Sequence, residues 1–181
     1  VDARLAEIAK YRHVYTTDAN YRCYDERLRP VTAALYGLKG SFLDVGCGRG
    51  ELLREADRLG LSPVMGAEAV PELCGGNVVE GQIHALPFKD GQFDHVTCID
   101  VLEHLLEADI VPGLLELQRV TAKTLLLAAA DYRSEWNGVE MHPAARPYHE
   151  WQHLFKTTLS GRVEWVGKTS TSEMWRVTYG G

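Results

Sequence analysis

Apolar positions along the chain follow two rhythms, a spacing of three to four residues and short unbroken runs. Leu5, Ile8 and Ala9, and then Leu28, Val31, Ala34 and Leu35, keep the first rhythm, which predicts helices within residues 1–39. An aromatic and polar stretch lies between them, Tyr11-Arg12-His13-Val14-Tyr15 through Tyr21-Arg22-Cys23-Tyr24. Ser41-Phe42-Leu43-Asp44-Val45 reads as a short buried strand that enters Gly46-Cys47-Gly48-Arg49-Gly50. A helix over 51–59 follows, with Leu52, Leu53, Ala56 and Leu59 on one face and Gly60 as its stop. Further strands are expected at 64–67, ending at Glu68, at 93–99 and at 124–130. A helix is expected over 109–120, capped by Asp109, with Pro112 in the first turn where its missing N–H costs nothing. A last helix over 147–159 and two strands at 163–166 and 174–179 complete the chain, the strands paired as an antiparallel edge. Strands alternating with helices predict a doubly wound α/β sheet.

At 181 residues and 45% hydrophobic, the chain can bury roughly 70% of its unfolded surface in one core. A single domain over 1–181 is therefore expected, with 1–39 as an N-terminal helical cap and 40–181 as the core. Nineteen basic against 25 acidic residues give a net charge of −6, a poor platform for nucleic acid or anionic lipid. The richest apolar window, Thr124 to Ala130, has seven residues, far short of the ~18 of a membrane span. Residues 1–7 lack the apolar core of a signal peptide. The chain starts at Val1 rather than Met, which suggests a processed chain or a domain of a larger protein. Cys23, Cys47, Cys74 and Cys98 are too far apart for a CxxC motif, so reduced thiols in a cytoplasmic setting are expected.

The glycine-rich turn after the first strand lets backbone approach a ligand closely. A dinucleotide fingerprint would need a further glycine at position 51, where Glu51 stands. A carboxylate at a helix N-terminus repels a pyrophosphate but tolerates a cofactor with a cationic centre and no phosphate.

Leu43-Asp44-Val45-Gly46-Cys47-Gly48-Arg49-Gly50 resembles the first motif of the class I S-adenosylmethionine-dependent methyltransferases. Glu68 is similar to that family's acidic residue for the two ribose hydroxyls, and a carboxylate can accept both bonds of a vicinal diol. Ala85-Leu86-Pro87-Phe88 and Phe93-Asp94-His95-Val96 resemble the segment leading into the family's fourth strand. Asp100-Val101-Leu102-Glu103-His104-Leu105 resembles that strand's exit, where the cofactor's methionine end lies. The resemblance spans residues 40–130 and implies a Rossmann-like, seven-stranded, mostly parallel sheet with an antiparallel C-terminal edge hairpin. It implies S-adenosyl-L-methionine as cofactor, held by Asp44, Gly46, Cys47, Gly48, Glu68, Ala69, Gln82, Ile83, Asp100 and Val101. Many relatives carry an acid where Gln82 stands; the Gln82 side-chain oxygen can still accept from adenine, and the Ile83 backbone can serve the ring.

His149-Glu150-Trp151-Gln152-His153 matches the zinc-protease pattern H-E-x-x-H, but no convincing third ligand follows it. The motif is read as an exposed helix face, and no metal is assigned. Methyl transfer to a hydroxyl benefits from a base near neutral pKa, which points to His142 first and His104 second. The segment from Trp136 to Tyr148 is long, aromatic and polar, so Trp136, Arg146 and Tyr148 are expected to bind the acceptor. No Asn-Pro-Pro-Tyr sequence of the base- and amide-methylating kind follows the fourth strand. The expected acceptor is a small molecule or a glycan hydroxyl, with no nucleic-acid or membrane partner. A silent S-adenosylmethionine-binding module serving a partner domain is the alternative.

Overall fold

The computed structural model describes residues 2–18 and 28–180. Tyr21, Arg22, Cys23 and Tyr24, and with them part of the expected N-terminal cap, lie outside the described residues. Two helices, α1 (Ala3–Thr17) and α2 (Arg29–Leu35), precede the first strand, β1 (Phe42–Val45). Then come α3 (Glu51–Arg58), β2 (Val64–Glu68), β3 (Val78–Glu80), β4 (Phe93–Ile99), α4 (Glu107–Val120) and β5 (Thr121–Ala129). A small hairpin, β6 (Glu135–Trp136) and β7 (Val139–Glu140), leads to α5 (Tyr148–Thr158), β8 (Arg162–Lys168) and β9 (Glu173–Thr178).

The sheet has seven strands in the order β3-β2-β1-β4-β5-β9-β8. The first five in that order run parallel, and β9 and β8 close the edge antiparallel. Alternation along each central strand supplies both faces. Leu43, Val45, Leu125 and Leu127 join one core with Leu114, Leu117, Trp151 and Phe155 from α4 and α5. Phe42, Leu126 and Ala128 join the other with Val31, Leu35, Leu52 and Leu53 from α2 and α3. Strand order reverses between β1 and β4, so a crevice opens beyond their carboxyl ends. No helix among the described residues is long and apolar enough to cross a membrane.

Three local expectations are corrected. First, α4 starts at Glu107, so Asp109 is not its cap and Pro112 lies inside the helix. The buried Asp109 carboxylate instead accepts from Arg4 Nε at 2.9 Å, which ties α1 to α4. Pro112 deprives the Ala108 carbonyl of its helical donor. Second, β3 is an additional strand, too short at three residues to carry a period. Third, the segment after β5 contains a hairpin turned by Asn137 (φ 50°) and Gly138 (φ 79°), the Asn-Gly pair that tight hairpins favour.

Candidate active site

The loop leaving β1 is shaped by left-handed glycines. Gly46 (φ 75°) donates its N–H to the Ala67 carbonyl at 2.8 Å, and a Cβ there would overlap Val101. Gly48 (φ 54°) donates its N–H to Glu68 Oε2 at 2.9 Å. Glu68 ends β2, and its Oε1 accepts from the Ala69 and Val70 amides at 2.9 and 3.0 Å. Its carboxylate is thus aimed and clamped before any ligand arrives. Burial pushes the Glu68 carboxyl up, against the pull of these three amides.

Asp44 sits inside β1, where it accepts from Thr97 Oγ1 of β4 at 2.6 Å. Burial pushes its carboxyl up to about 7, opposed by Thr97 and assisted by the charges of Glu68 and Glu51. Asp100 follows β4 with φ 53° and accepts from the Ser172 hydroxyl. These groups border a cavity of about 230 Å³ at the crevice. Glu7, Asp44, Glu51, Glu68 and Asp100 contribute carboxyl groups to its wall, and none of the described lining residues is Lys or Arg. Such a wall fits a cationic sulfonium and ammonium with a ribose diol, and it disfavours phosphates.

The raised Asp44 carboxyl has a pH consequence. Between 3.8 and about 7 the folded chain keeps a proton that the unfolded chain has lost. Stability of the ligand-free protein therefore falls as pH rises through that window. A cation in the cavity favours ionised Asp44, so S-adenosylmethionine affinity should climb with pH until about 7 and then level. The climb should approach about tenfold per pH unit. Calorimetry across that range checks it, and Asp44→Asn should flatten the profile.

Of the expected cofactor residues, Asp44, Gly46, Cys47, Gly48, Glu68, Ala69, Ile83, Asp100 and Val101 border the cavity. Gln82 does not; its carbonyl accepts from the Ala85 amide at 2.9 Å in a turn. The opposite wall was missed by sequence reasoning: Glu7, Ile8, Tyr11 and Tyr15 of α1. Ile8, Tyr11 and Tyr15 at helical spacing were the available signal for this face. Tyr15 lies over Gly48, and Arg49 Nη2 donates to the Tyr15 carbonyl at 2.9 Å. Lys10 Nζ donates to the Glu140 carbonyl at 2.9 Å, so α1 also reaches the β6–β7 hairpin.

His104 borders the cavity beside Val101, whereas His142 is buried behind it, with ring centroids 4.7 Å apart. The acceptor residues expected after β5 stand away from this cavity. Arg146 pairs with Glu107 at 2.5 Å and stacks on Trp151, which commits its charge elsewhere. Trp136 meets the His13 ring edge-on at 5.5 Å, and Tyr148 bonds Asp131 and packs on the core near Trp175. His149, Glu150 and His153 lie exposed on α5, and among the described residues no third ligand group joins them.

Residues 43–128 match the family model described as a methyltransferase domain. No curated protein matches the chain in sequence. Among solved structures, a Pyrococcus horikoshii OT3 protein is similar over 91% of this chain and 93% of its own, with TM-score 0.70 and 17% identity. The Burkholderia thailandensis 1,6-didemethyltoxoflavin-N1-methyltransferase, solved with 1,6-didemethyltoxoflavin and S-adenosylhomocysteine, has TM-score 0.72 at 14% identity. That similarity covers 100% of this chain and 91% of the other. A chain from the complex of the Haloferax volcanii Trm112 methyltransferase activator with a methyltransferase also has TM-score 0.72, at 15% identity, covering 93% of this chain and 96% of its own. With the loop, the clamped acid and the strand order in agreement with that match, residues 43–128 carry a methyltransferase domain within a Rossmann-like methyltransferase fold, and the cofactor this implies is S-adenosylmethionine.

Proposed function

We propose that the protein transfers a methyl group to a hydroxyl of a small molecule or glycan. The observation carrying this reading is a cavity that runs from the cofactor loop to His104, walled by carboxyl groups and tyrosines. A polyanionic acceptor would meet repulsion there, whereas a neutral hydroxyl would not. When bound, S-adenosylmethionine supplies a sulfonium methyl open to in-line displacement. The chain's own work is then positioning and water exclusion. Glu68 and the amides it clamps fix the ribose side, Asp44 and Asp100 face the cationic end, and α1 covers the opening. His104 faces the acceptor and eases loss of the hydroxyl proton. Trp136 stands away from the cavity, edge-on against His13 of α1, so the acceptor side is assigned to His104 and the α1 tyrosines. Cys47, Cys74 and Cys98 are free thiols, in keeping with a reducing, cytoplasmic setting. The Burkholderia neighbour, which binds 1,6-didemethyltoxoflavin, supports a small-molecule acceptor, although its name assigns the methyl to N1.

Incubation with labelled methyl donor and a panel of phenols, sugars, amines and RNA tests the reading. Label should enter a hydroxyl acceptor, and His104→Ala should lower that turnover by about 10²–10⁴-fold with cofactor affinity kept. Label in RNA alone would contradict it. No transfer to any acceptor, with cofactor binding intact, would favour a silent binding module.

A further inference from the structure

Glu103 and His104, in the short turn after β4, meet His142 from the segment after β7. The candidate ligating atoms of the three side chains all lie within 4.8 Å of one another. His142 Nδ1 lies 2.7 Å from the Tyr132 carbonyl, and His104 Nδ1 lies 2.7 Å from the Met141 carbonyl. A carbonyl only accepts, so Nδ1 carries the proton in both rings and the ligating lone pair is on Nε2. Tyr11 Oη, 2.5 Å from His104 Nδ1, agrees with this, because its own proton goes to the Met141 carbonyl at 2.8 Å. Backbone carbonyls fixing imidazoles in this tautomer are the usual support around a metal ion. Glu103 is 0% exposed and His142 is 3% exposed, so a carboxylate is sunk beside two oriented imidazoles.

We propose that Glu103, His104 and His142 bind one first-row divalent transition ion, with an open position on the cavity side for an acceptor oxygen. Two imidazoles with a single carboxylate suit Zn²⁺, Co²⁺, Mn²⁺ or Fe²⁺, whereas Mg²⁺ and Ca²⁺ prefer all-oxygen sets. The site's role in catalysis rests on the methyl-transfer reading and deepens it. A hydroxyl coordinated there is more acidic and releases its proton to water, so His104 eases that proton loss as a ligand of the ion rather than as a free base. The acceptor class narrows accordingly to molecules that offer a hydroxyl as metal ligand. His149 and His153 of α5 are the competing metal-binding pair, and the test separates them.

Protein purified without a polyhistidine tag and stripped with chelator is titrated with Co²⁺, following visible ligand-field absorption. The expected result is one equivalent bound, competed by Zn²⁺ and not by comparable Mg²⁺. Affinity should fall by at least about 100-fold in Glu103→Gln and in the half-buried His104→Ala, and persist in His149→Ala. S-adenosylmethionine binding, measured by calorimetry on the same samples, reports the fold and the cofactor site independently. Wild-type protein that binds S-adenosylmethionine but takes up no stoichiometric Co²⁺ overturns the metal site and leaves the methyl-transfer reading standing. Co²⁺ binding lost in His149→Ala overturns it equally. Co²⁺ binding as expected without S-adenosylmethionine binding upholds the metal site and removes the reading of its role.

Discussion

Gly48→Val should lower S-adenosylmethionine affinity by at least about 100-fold, a loss of roughly 3 kcal/mol or more. Gly48 has φ 54°, and a β-branched residue held there costs about 1–3 kcal/mol. Its new Cβ would also stand 2.7 Å from Tyr15 Oη, so α1 must shift or the loop must open. If the loop opens, the amide of residue 48 leaves Glu68 Oε2, a charge-assisted bond of about 1.5–3 kcal/mol. Both routes deform the surface that faces the cofactor. Gly76 supplies the control, since its φ of 61° is equally strained for a side chain but nothing lies within 4 Å of its Cβ position. Gly76→Val should therefore lose stability and keep affinity, which thermal melts and calorimetry separate.

Glu68→Ala is the second large effect. The carboxylate has about four lone-pair sites. Three of them are used by the amides of Gly48, Ala69 and Val70. In the proposed site a ribose hydroxyl would take the remaining site on Oε2, and a diol claiming two sites would have to displace an amide. The alanine variant loses the hydroxyl contact and unclamps the loop together, so its affinity should fall by about 1.5–3 kcal/mol or more. Glu68→Gln keeps the shape but puts a donor where amides also donate, so it should fare little better.

The run from Leu43 to Glu68 was legible because its structure is local. A buried strand, a turn that only glycines permit, a helix start and a second strand each leave their mark within a few residues. The same holds for Asp100 and Val101 at the exit of β4. What was not legible depends on distant partners. Asp109 obeys the local rule for a helix cap, yet its partner is Arg4, 105 positions away. Arg146 looked free to orient an acceptor because neither Glu107 nor Trp151 is visible as its neighbour along the chain. Tyr11 and Tyr15 read as an aromatic patch, and only the docking of α1 over the loop makes them a cavity wall. His104 and His142 were each noticed singly, while Glu103 and the carbonyls of Tyr132 and Met141 that orient the pair emerge only in three dimensions.

Calorimetric titration of wild type and Glu68→Ala with S-adenosylmethionine and with NAD tests the central claim most directly, because one experiment reads both the diol clamp and the acidic wall. The account predicts micromolar-range S-adenosylmethionine binding to the wild type, roughly 10–150-fold weaker in Glu68→Ala, and no measurable binding of NAD. Unchanged S-adenosylmethionine affinity in the variant, or NAD binding to the wild type, would contradict it.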